Sequence, residues 1–172
     1  MATEKYYKKG DVIGEFLKKR RLEAISSKIN GKLLDLACGE NDLVRNYSGD
    51  GKGIDIADYG ADQVVSDYHN LPFESGSFDT VSIIASLNYF EDPLKVLIET
   101  GRLLQDDGRL IITNTNHNVM KAWHLFRESW AHKSGYSLSS IKSLLSQSSF
   151  EVENISYFNF YLSYVITAKK RG

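Results

Sequence analysis

The sequence predicts an α/β fold with a mostly parallel sheet covered by helices on both faces, and three observations support this. Short apolar runs without clean alternation are typical of strands buried on both sides, and here segments with helical periodicity separate them. At 172 residues, the chain fits one domain with a sizeable core. Its last two apolar runs are joined by a link at residues 158–160, too short for a parallel crossover, so we expect them to pair antiparallel.

In the first half of the chain, helices and strands are predicted to alternate. Residues 11–29 predict a helix, because apolar residues recur there at helical spacing. The elements expected after it are a strand at 32–37, a short helix around 40–47, a strand from Gly51 to Ile56 and a brief strand at 62–66.

In the second half, a fourth strand is expected from Thr80 to Ser86, with a helix after it. Asp92 and Pro93 are a suitable N-cap and first-turn pair for that helix, and the sequence at 106–108 (Asp-Asp-Gly) predicts its end. The remaining expected elements are a strand from Arg109 to Thr113, helices at 118–131 and 137–147, and strands from Phe150 to Tyr157 and from Tyr161 to Lys169.

The composition is that of an ordinary globular protein, with 42% hydrophobic and 25% charged residues. The single cysteine excludes an internal disulfide and, without a secretory signal, predicts a cytoplasmic chain. The apolar stretches are far shorter than the ~20 residues that a membrane helix needs, so we expect no membrane anchor.

The net charge of −1 conceals an uneven distribution of charged residues. Basic residues outnumber acidic ones by eight to four in residues 1–30 and by seven to three in 117–172, whereas 31–116 carry six against fifteen. A nucleic-acid-binding protein is expected to carry a basic patch, for which residues 18–21 (Lys-Lys-Arg-Arg) are the candidate. Because apolar residues recur at helical spacing around them, we interpret this cluster as the solvent face of an amphipathic helix and predict no nucleic-acid partner.

In the sequence LLDLACGENDLVR, at residues 33–45, the apolar pattern is interrupted by the small residues 37–39 (Ala-Cys-Gly). Ligands of open α/β sheets bind beyond the carboxyl ends of the strands. Small side chains there let a ligand approach the main chain and the N–H groups of the next helix. Gly39 and Asn41 tolerate the left-handed backbone angles that a tight turn can require. The alternative is an ordinary packing turn.

Two further acids are placed near predicted strand ends. Asp55 closes the second strand, twenty positions after Asp35, which is the spacing at which a carboxylate meets ribose hydroxyls on such a sheet. Asp67 ends the third predicted strand, before Tyr68, and can accept a hydrogen bond from an exocyclic amine. Each acid alone is more often a cap or a solvated residue, but their occurrence at successive strands predicts a nucleoside site.

At these residues the sequence resembles the class I S-adenosylmethionine-dependent methyltransferases, particularly the small ones that act on non-polymeric substrates. The resemblance is strong over about residues 30–116. LLDLACGENDL is similar to the family's first motif, GIDI to its second strand with the ribose acid, and VVSDYHNLPFESGSFDTV to the adenine-side turn and fourth strand. SLNYFEDPLKVLIETGRLLQDDGRLIIT is similar to the segment, helix and strand that follow, and the C-terminal hairpin suits the family fold.

The resemblance implies a Rossmann-like, doubly wound sheet in three αβα layers and a single domain over residues 1–172. Residues 1–30 would form an N-terminal helical segment, and 117–148 would supply helices on the acceptor side. The cofactor would be S-adenosyl-L-methionine. The acceptor would be a small molecule.

The resemblance also implies roles for individual residues. The methionine part of the cofactor would contact Asp35, Ala37, Cys38 and Gly39. The nucleoside would be held by Asp55 at the ribose, by Ile56 against the adenine, and by Asp67 with Tyr68 at the adenine amine. Ala85 would line the site below the sulfonium.

One departure concerns two positions of the first motif. The family usually has glycine where Ala37 and Asn41 stand. Alanine adds only a methyl group, and asparagine is the best non-glycine residue for positive φ, so we expect cofactor binding to survive.

A sulfonium methyl is already activated, so such an enzyme chiefly aligns a nucleophile and excludes water. A base is needed only where the acceptor must lose a proton. The candidate acceptor-side residues are Asn88, Tyr89, Asn116 and Trp123, with core packing as the alternative for Trp123. His117 is the candidate base, with an ordinary loop histidine as the alternative. Because His124 and His132 lack further ligands at metal spacing, we predict no metal site.

Two other functions stay open. A catalytically silent protein could bind S-adenosylmethionine or a partner without turnover, and the altered glycine positions keep this alternative. An NAD-dependent oxidoreductase would suit the sheet and the ribose acid, but Asp42 would face the pyrophosphate. Aromatic residues of the last strands are expected to be buried in the sheet, with a dimer edge as the alternative, so a monomer or a homodimer is predicted. These aromatic residues are Tyr157, Phe158, Phe160, Tyr161 and Tyr164.

Overall fold

A seven-stranded sheet lies at the centre of the computed structural model, which describes residues 12–116 and 135–171. Its strands in chain order are β1 (Leu33–Leu36), β2 (Gly51–Asp55), β3 (Gln63–Val64), β4 (Phe78–Ile84), β5 (Leu104–Thr115), β6 (Phe150–Phe158) and β7 (Ser163–Lys170). Across the sheet they follow the order β3-β2-β1-β4-β5-β7-β6. Strands β1 to β5 pair in parallel, whereas β7 pairs antiparallel with β5 and β6. The predicted doubly wound sheet with an antiparallel C-terminal hairpin is confirmed, and the strand order reverses between β1 and β4.

Helices cover both faces of this sheet. They are α1 (Val12–Ser26), α2 (Asp42–Arg45), α3 (Pro93–Leu103) and α4 (Leu138–Gln147). Ile111 of β5 packs in one apolar cluster with residues of α1 and α2, whereas Ile112 packs in a second cluster with residues of α3 and α4. Since neighbouring residues of a strand point to opposite faces, the sheet is the middle layer of three, as predicted.

The junction between α3 and β5 differs from the prediction. The helix begins as expected, with Asp92 Oδ1 accepting a hydrogen bond from the Lys95 N–H at 3.1 Å. It ends at Leu103, and the strand begins at once with Leu104, which pairs with Phe78. Residues 105–108 form a bulge in β5 instead of a helix stop. The prediction was wrong because pairing of buried Leu104 with another strand decides where the helix ends.

Strand β3 is shorter than predicted, and this moves Asp67 off its end. The strand pairs with β2 only through Gln63 and Val64, because β2 itself ends at Asp55 and offers no further partner. Asp67 lies three residues beyond Val64, so the prediction that it ends the third strand was wrong.

The β6–β7 hairpin turns at residues 159–162, one or two residues later than predicted. Phe160 and Tyr161 lie in this turn at positive φ and are 96% and 71% exposed. The expectation that the hairpin aromatics are buried was wrong for these two residues, because they project from the turn and not from a strand. It was also wrong for Tyr157, which lies in the edge strand β6 and is 46% exposed. It is confirmed for Tyr164, which is 2% exposed.

The predicted helix at 118–131 lies outside the described residues, and so do His117 and Trp123. The next predicted helix is confirmed as α4, where the Ser137 hydroxyl accepts from the Ser140 N–H at 3.1 Å as an N-cap. In residues 12–116 and 135–171, no helix is both long enough and apolar enough to span a bilayer.

Candidate functional site

The turn after β1 adopts left-handed backbone angles at three alternate residues. Ala37, Gly39 and Asn41 have φ values of 56°, 56° and 62°. The turn is closed by the Asn41 N–H, which donates to the Cys38 carbonyl at 3.0 Å, and the Cys38 N–H donates to Ile54 at 3.1 Å. Left-handed angles are unfavourable for alanine, and strained residues of this kind concentrate at ligand sites.

Asp55 joins the end of β2 to this turn. Its Oδ2 accepts a hydrogen bond from the Gly39 N–H at 2.9 Å, and its Oδ1 accepts one from the Ala57 N–H at 3.1 Å. The side chain is 7% exposed. The structure therefore brings together two of the residues that were predicted to share a ligand, the turn glycine and the strand-end acid.

Asp35 lies in the middle of β1 and is buried. Its Oδ1 accepts a hydrogen bond from the Ser82 hydroxyl of β4 at 2.6 Å. Burial raises the pKa of Asp35 to about 7; the Ser82 hydrogen bond opposes this shift, and the charge of Asp55 adds to it. Ser82 was not among the predicted site residues, although a polar residue inside an apolar strand is a signal that could have identified it.

Cys38 is a half-buried residue of the turn, close enough to Asp35 and Asp55 to be affected by their charges. Burial raises the pKa of its thiol above the ordinary range, and the charges of Asp35 and Asp55 raise it further. Because the thiolate is the reactive form of cysteine, Cys38 is not set up as a nucleophile. Its role is that of a small residue in the turn.

Tyr68 reaches the end of β2 from the loop after β3. Its hydroxyl oxygen accepts a hydrogen bond from the Ile56 N–H at 3.1 Å, and its ring packs edge-on against Phe90 at 4.9 Å. Burial raises the pKa of the phenol, and the nearby Asp55 charge adds to this. Asp67 is exposed, and its Oδ1 accepts from the His69 N–H at 2.8 Å within its own turn.

The end of β4 lies beside the end of β1. Ala85 is a further non-glycine residue at positive φ, 55°, and its N–H donates to the Thr113 carbonyl at 3.1 Å. The Ser86 hydroxyl is 3.5 Å from the Leu36 carbonyl. Ala85 therefore borders the turn after β1, at the point where the strand order reverses.

Lys18 ties α1 to the turn after β1. Its Nζ is 3.0 Å from Glu40 Oε2 and 2.6 Å from Asp42 Oδ2. Burial lowers the pKa of Lys18, but the hydrogen bonds to Asp42 and Glu40 outweigh it and raise the pKa above its ordinary value. The prediction that residues 18–21 form a solvent-exposed basic face is therefore wrong for Lys18, because its ammonium group is paired with two carboxylates.

The predicted acceptor-side residues lie at the ends of β4 and β5. Asn88 Oδ1 accepts from the Tyr136 N–H at 3.1 Å, so it holds the returning chain in place. The Asn116 N–H donates to the Leu162 carbonyl at 2.8 Å, and Tyr89 is half exposed. Asn114, which the sequence analysis missed, is buried and donates to the Tyr136 carbonyl at 3.3 Å.

No group of three His, Cys, Asp or Glu residues in the described part of the chain is arranged to hold a metal ion. The functional groups gathered at the strand ends are thus carboxylates, amides and exposed backbone.

The strain at Ala37 gives a stability prediction. Replacing Ala37 by glycine is expected to raise the free energy of unfolding by about 0.5–1 kcal/mol, because relief of the left-handed strain exceeds the added chain entropy of glycine. Urea unfolding measures this. Ala57→Gly is the matched control, since Ala57 is not at positive φ, and it should lower stability. Equal losses in both variants would contradict the assignment of strain to Ala37.

Comparison with known proteins finds similarity in both sequence and fold. Residues 34–112, which run from β1 into β5, match the family model of a methyltransferase domain. The chain has the class I methyltransferase fold, and over these residues it is similar in sequence to that methyltransferase domain family.

Two solved structures share this fold across nearly their whole length. One is a methyltransferase from Thermotoga maritima, described as a possible histamine N-methyltransferase, with a TM-score of 0.77 at 17% identity. The match covers 93% of this chain and 92% of that protein. A protein from Pyrococcus horikoshii has a TM-score of 0.73 at 22% identity, and the match covers 90% of this chain and 91% of that protein.

Two curated relatives are more similar in sequence. A demethylmenaquinone methyltransferase from Thermotoga maritima is 30% identical over 133 residues, which are 66% of this chain and 58% of the relative. One from Paenarthrobacter aurescens is 30% identical over 136 residues, 69% of this chain and 54% of the relative. The chain thus spans little more than half the length of these relatives.

The turn after β1 has open space on one side. A Cβ built on Gly39 would meet no atom within 4 Å, so there is open space beside the turn. A carboxylate has about four acceptor positions, so Asp55 can accept hydroxyl groups in addition to its two N–H donors. The residues present fit a nucleoside with an amino-acid extension.

Proposed function

We propose that this chain binds S-adenosyl-L-methionine at the ends of β1 and β2 and catalyses transfer of its methyl group to a small-molecule acceptor. The observation that carries the proposal is the hydrogen bond from the Gly39 N–H to Asp55 Oδ2. It joins the backbone turn and the strand-end acid within a methyltransferase domain, at the place where the strand order reverses.

We assign the cofactor-binding roles as follows. The methionine part would lie against the turn formed by Ala37, Cys38 and Gly39, with Asp35 behind it. Asp55 would accept the ribose hydroxyls, and Ile56, which is 58% exposed at the end of β2, would pack against the adenine. Asp67 with Tyr68 would receive the adenine amine, and Ala85 would border the sulfonium.

When bound, the cofactor supplies a methyl group on a sulfonium, which needs little further activation. The chain would then align the acceptor at the ends of β4 and β5, where Asn88, Tyr89 and Asn116 lie, and exclude water. We keep Trp123 as an acceptor-side residue and His117 as the base for an acceptor that must lose a proton. Both lie outside the described residues.

The names of the relatives favour a quinol-type aromatic acceptor. Such a ring would suit the exposed apolar surface of Tyr89. We further propose a cytoplasmic chain, in keeping with its single free cysteine, and a monomer or a homodimer.

A catalytically silent S-adenosylmethionine-binding protein is the second candidate. The observation that favours it is the pair of non-glycine residues, Ala37 and Asn41, at left-handed angles in the turn. If these residues narrow the turn, the cofactor could bind without a productive alignment of its methyl group.

Isothermal titration calorimetry tests the cofactor proposal. We expect S-adenosylhomocysteine to bind and NADH not to bind, and the reverse result would favour an NAD-dependent oxidoreductase. Incubation with methyl-labelled S-adenosylmethionine and demethylmenaquinol then separates an enzyme from a silent protein. Label in the quinol supports the proposed acceptor class, whereas cofactor binding without label transfer contradicts it.

A further inference from the structure

Asn41 closes the turn after β1 in a left-handed conformation. Its φ and ψ are 62° and 27°, and the residue is 2% exposed. Although it is the N-cap residue of α2, its side chain makes no capping hydrogen bond. Its Nδ2 instead donates to Asp62 Oδ2 at 3.0 Å, so the amide points towards β2 and not towards the helix.

Asp62 is itself fixed to β2 by two hydrogen bonds. Its backbone N–H donates to the Gly53 carbonyl at 2.9 Å, and its Oδ2 accepts from the Gly53 N–H at 2.7 Å. The residue is exposed as a whole, but this one oxygen is shared between β2 and Asn41. Asp62 therefore sets the position of the Asn41 amide relative to the strand.

Gly53 provides the space that the Asn41 amide occupies. A Cβ built on Gly53 would overlap Asn41 Oδ1 and stand 2.7 Å from Asn41 Cγ. Asn41 Oδ1 is buried and has no hydrogen-bond partner within the described residues. Since an unpaired buried oxygen is unfavourable, the amide is held there by its Nδ2 contact with Asp62.

We propose that Asp62 is a positioning residue for the cofactor turn, acting through Asn41. By holding Asn41 at left-handed angles, it keeps the Asn41 N–H on the Cys38 carbonyl, at 3.0 Å, and so fixes the turn that presents the Gly39 N–H. Asn41, Asp62 and Gly53 together then fix the shape of this turn. This inference rests on the proposed cofactor site.

A double-mutant cycle with S-adenosylhomocysteine as the probe tests the inference. Asp62→Ala is expected to weaken binding about fivefold, as the loss of a partly exposed hydrogen bond implies. Asp62→Asn keeps an acceptor oxygen and should bind within about twofold of the wild type. Asp58→Ala removes an exposed carboxylate from the same loop and should change nothing. In an Asn41→Gly background, Asp62→Ala should have no effect, because glycine needs no support at positive φ.

Affinities are to be measured by calorimetry at a temperature at which circular dichroism shows each variant to be folded. The same loss in both backgrounds, or no loss in the wild-type background, would overturn the inference. Failure of the wild-type protein to bind the probe would instead contradict the proposed cofactor site.

A second cycle tests the shared space through thermal stability. Gly53→Ala should strongly lower the melting temperature, and Asn41→Gly should restore most of that loss by removing the overlapping amide. The remaining neighbour of the added Cβ is Cys38 Sγ at 3.0 Å, a side-chain atom that can shift. If Gly53→Ala lowered the melting temperature equally in the wild-type and Asn41→Gly backgrounds, Gly53 would not be providing the space for the Asn41 amide.

Discussion

Replacing Asp55 by alanine is expected to weaken S-adenosylhomocysteine binding by at least about tenfold. Under the proposed assignment, the variant would lose charge-assisted hydrogen bonds to the ribose, and each such bond contributes roughly 1.5–3 kcal/mol in proteins. It also loses the acceptor of the Gly39 N–H, which the structure places 2.9 Å from Asp55 Oδ2. Calorimetric titration measures the change directly.

Two controls accompany the Asp55 variant. Asp58→Ala, in the same loop, should leave the affinity unchanged. Asp55→Asn keeps an acceptor oxygen without the charge, so its affinity should fall between those of the wild type and Asp55→Ala. Unchanged affinity in folded Asp55→Ala protein would remove this residue from the site.

The pH dependence of stability is expected to report the buried Asp35 carboxyl. Its pKa in the folded protein is about 7, against 3.8 ordinarily. Between these values the folded state binds more protons than the unfolded state, so the free energy of unfolding falls as the pH rises through this window. From pH 5 to pH 8 the contribution of Asp35 amounts to about 2–3 kcal/mol of lost stability.

Urea unfolding of the ligand-free protein and of Asp35→Asn, at pH 5 and pH 8, tests this expectation. The neutral amide cannot ionise, so the variant should lose less stability than the wild type over this interval. The change with pH is the quantity to compare, because the substitution also alters the hydrogen bond to Ser82. Identical changes in the two proteins would show that Asp35 does not titrate in this range.

The sheet was predictable from sequence because its central strands are defined by local pattern. Apolar runs that break at a small-residue turn, as at 37–39, or at an acid, as at Asp55, locate the ends of β1 and β2. The C-terminal hairpin was predictable because a short link leaves no other pairing. The residues that contact one another at the site, Gly39 and Asp55, were among those predicted.

Features set by pairing between distant segments were not predictable. The end of α3 at Leu103 depends on Leu104 pairing with Phe78, and the early end of β3 depends on where β2 stops. Likewise, the Ser82 hydroxyl contacts Asp35 because these two residues lie opposite each other in the pairing of β1 with β4. The register of that pairing cannot be predicted from the local sequence of either strand.

The contact between Asn41 and Asp62 was not predictable for a similar reason. The residue type indicates that Asn41 tolerates a left-handed angle. It does not indicate that the Asn41 amide donates a hydrogen bond to Asp62, beside β2. The Asn41 side chain can point in that direction because Gly53 has no Cβ to fill the space. In the sequence, Gly53 indicates only a residue of a strand.

The most direct test of the central claim is a crystal structure of the protein with S-adenosylhomocysteine. We predict ribose hydroxyls within hydrogen-bonding distance of the Asp55 carboxylate and the amino-acid part of the ligand against residues 37–39. A ligand bound elsewhere, or an Asp55 carboxylate turned away from the ribose, would contradict the account.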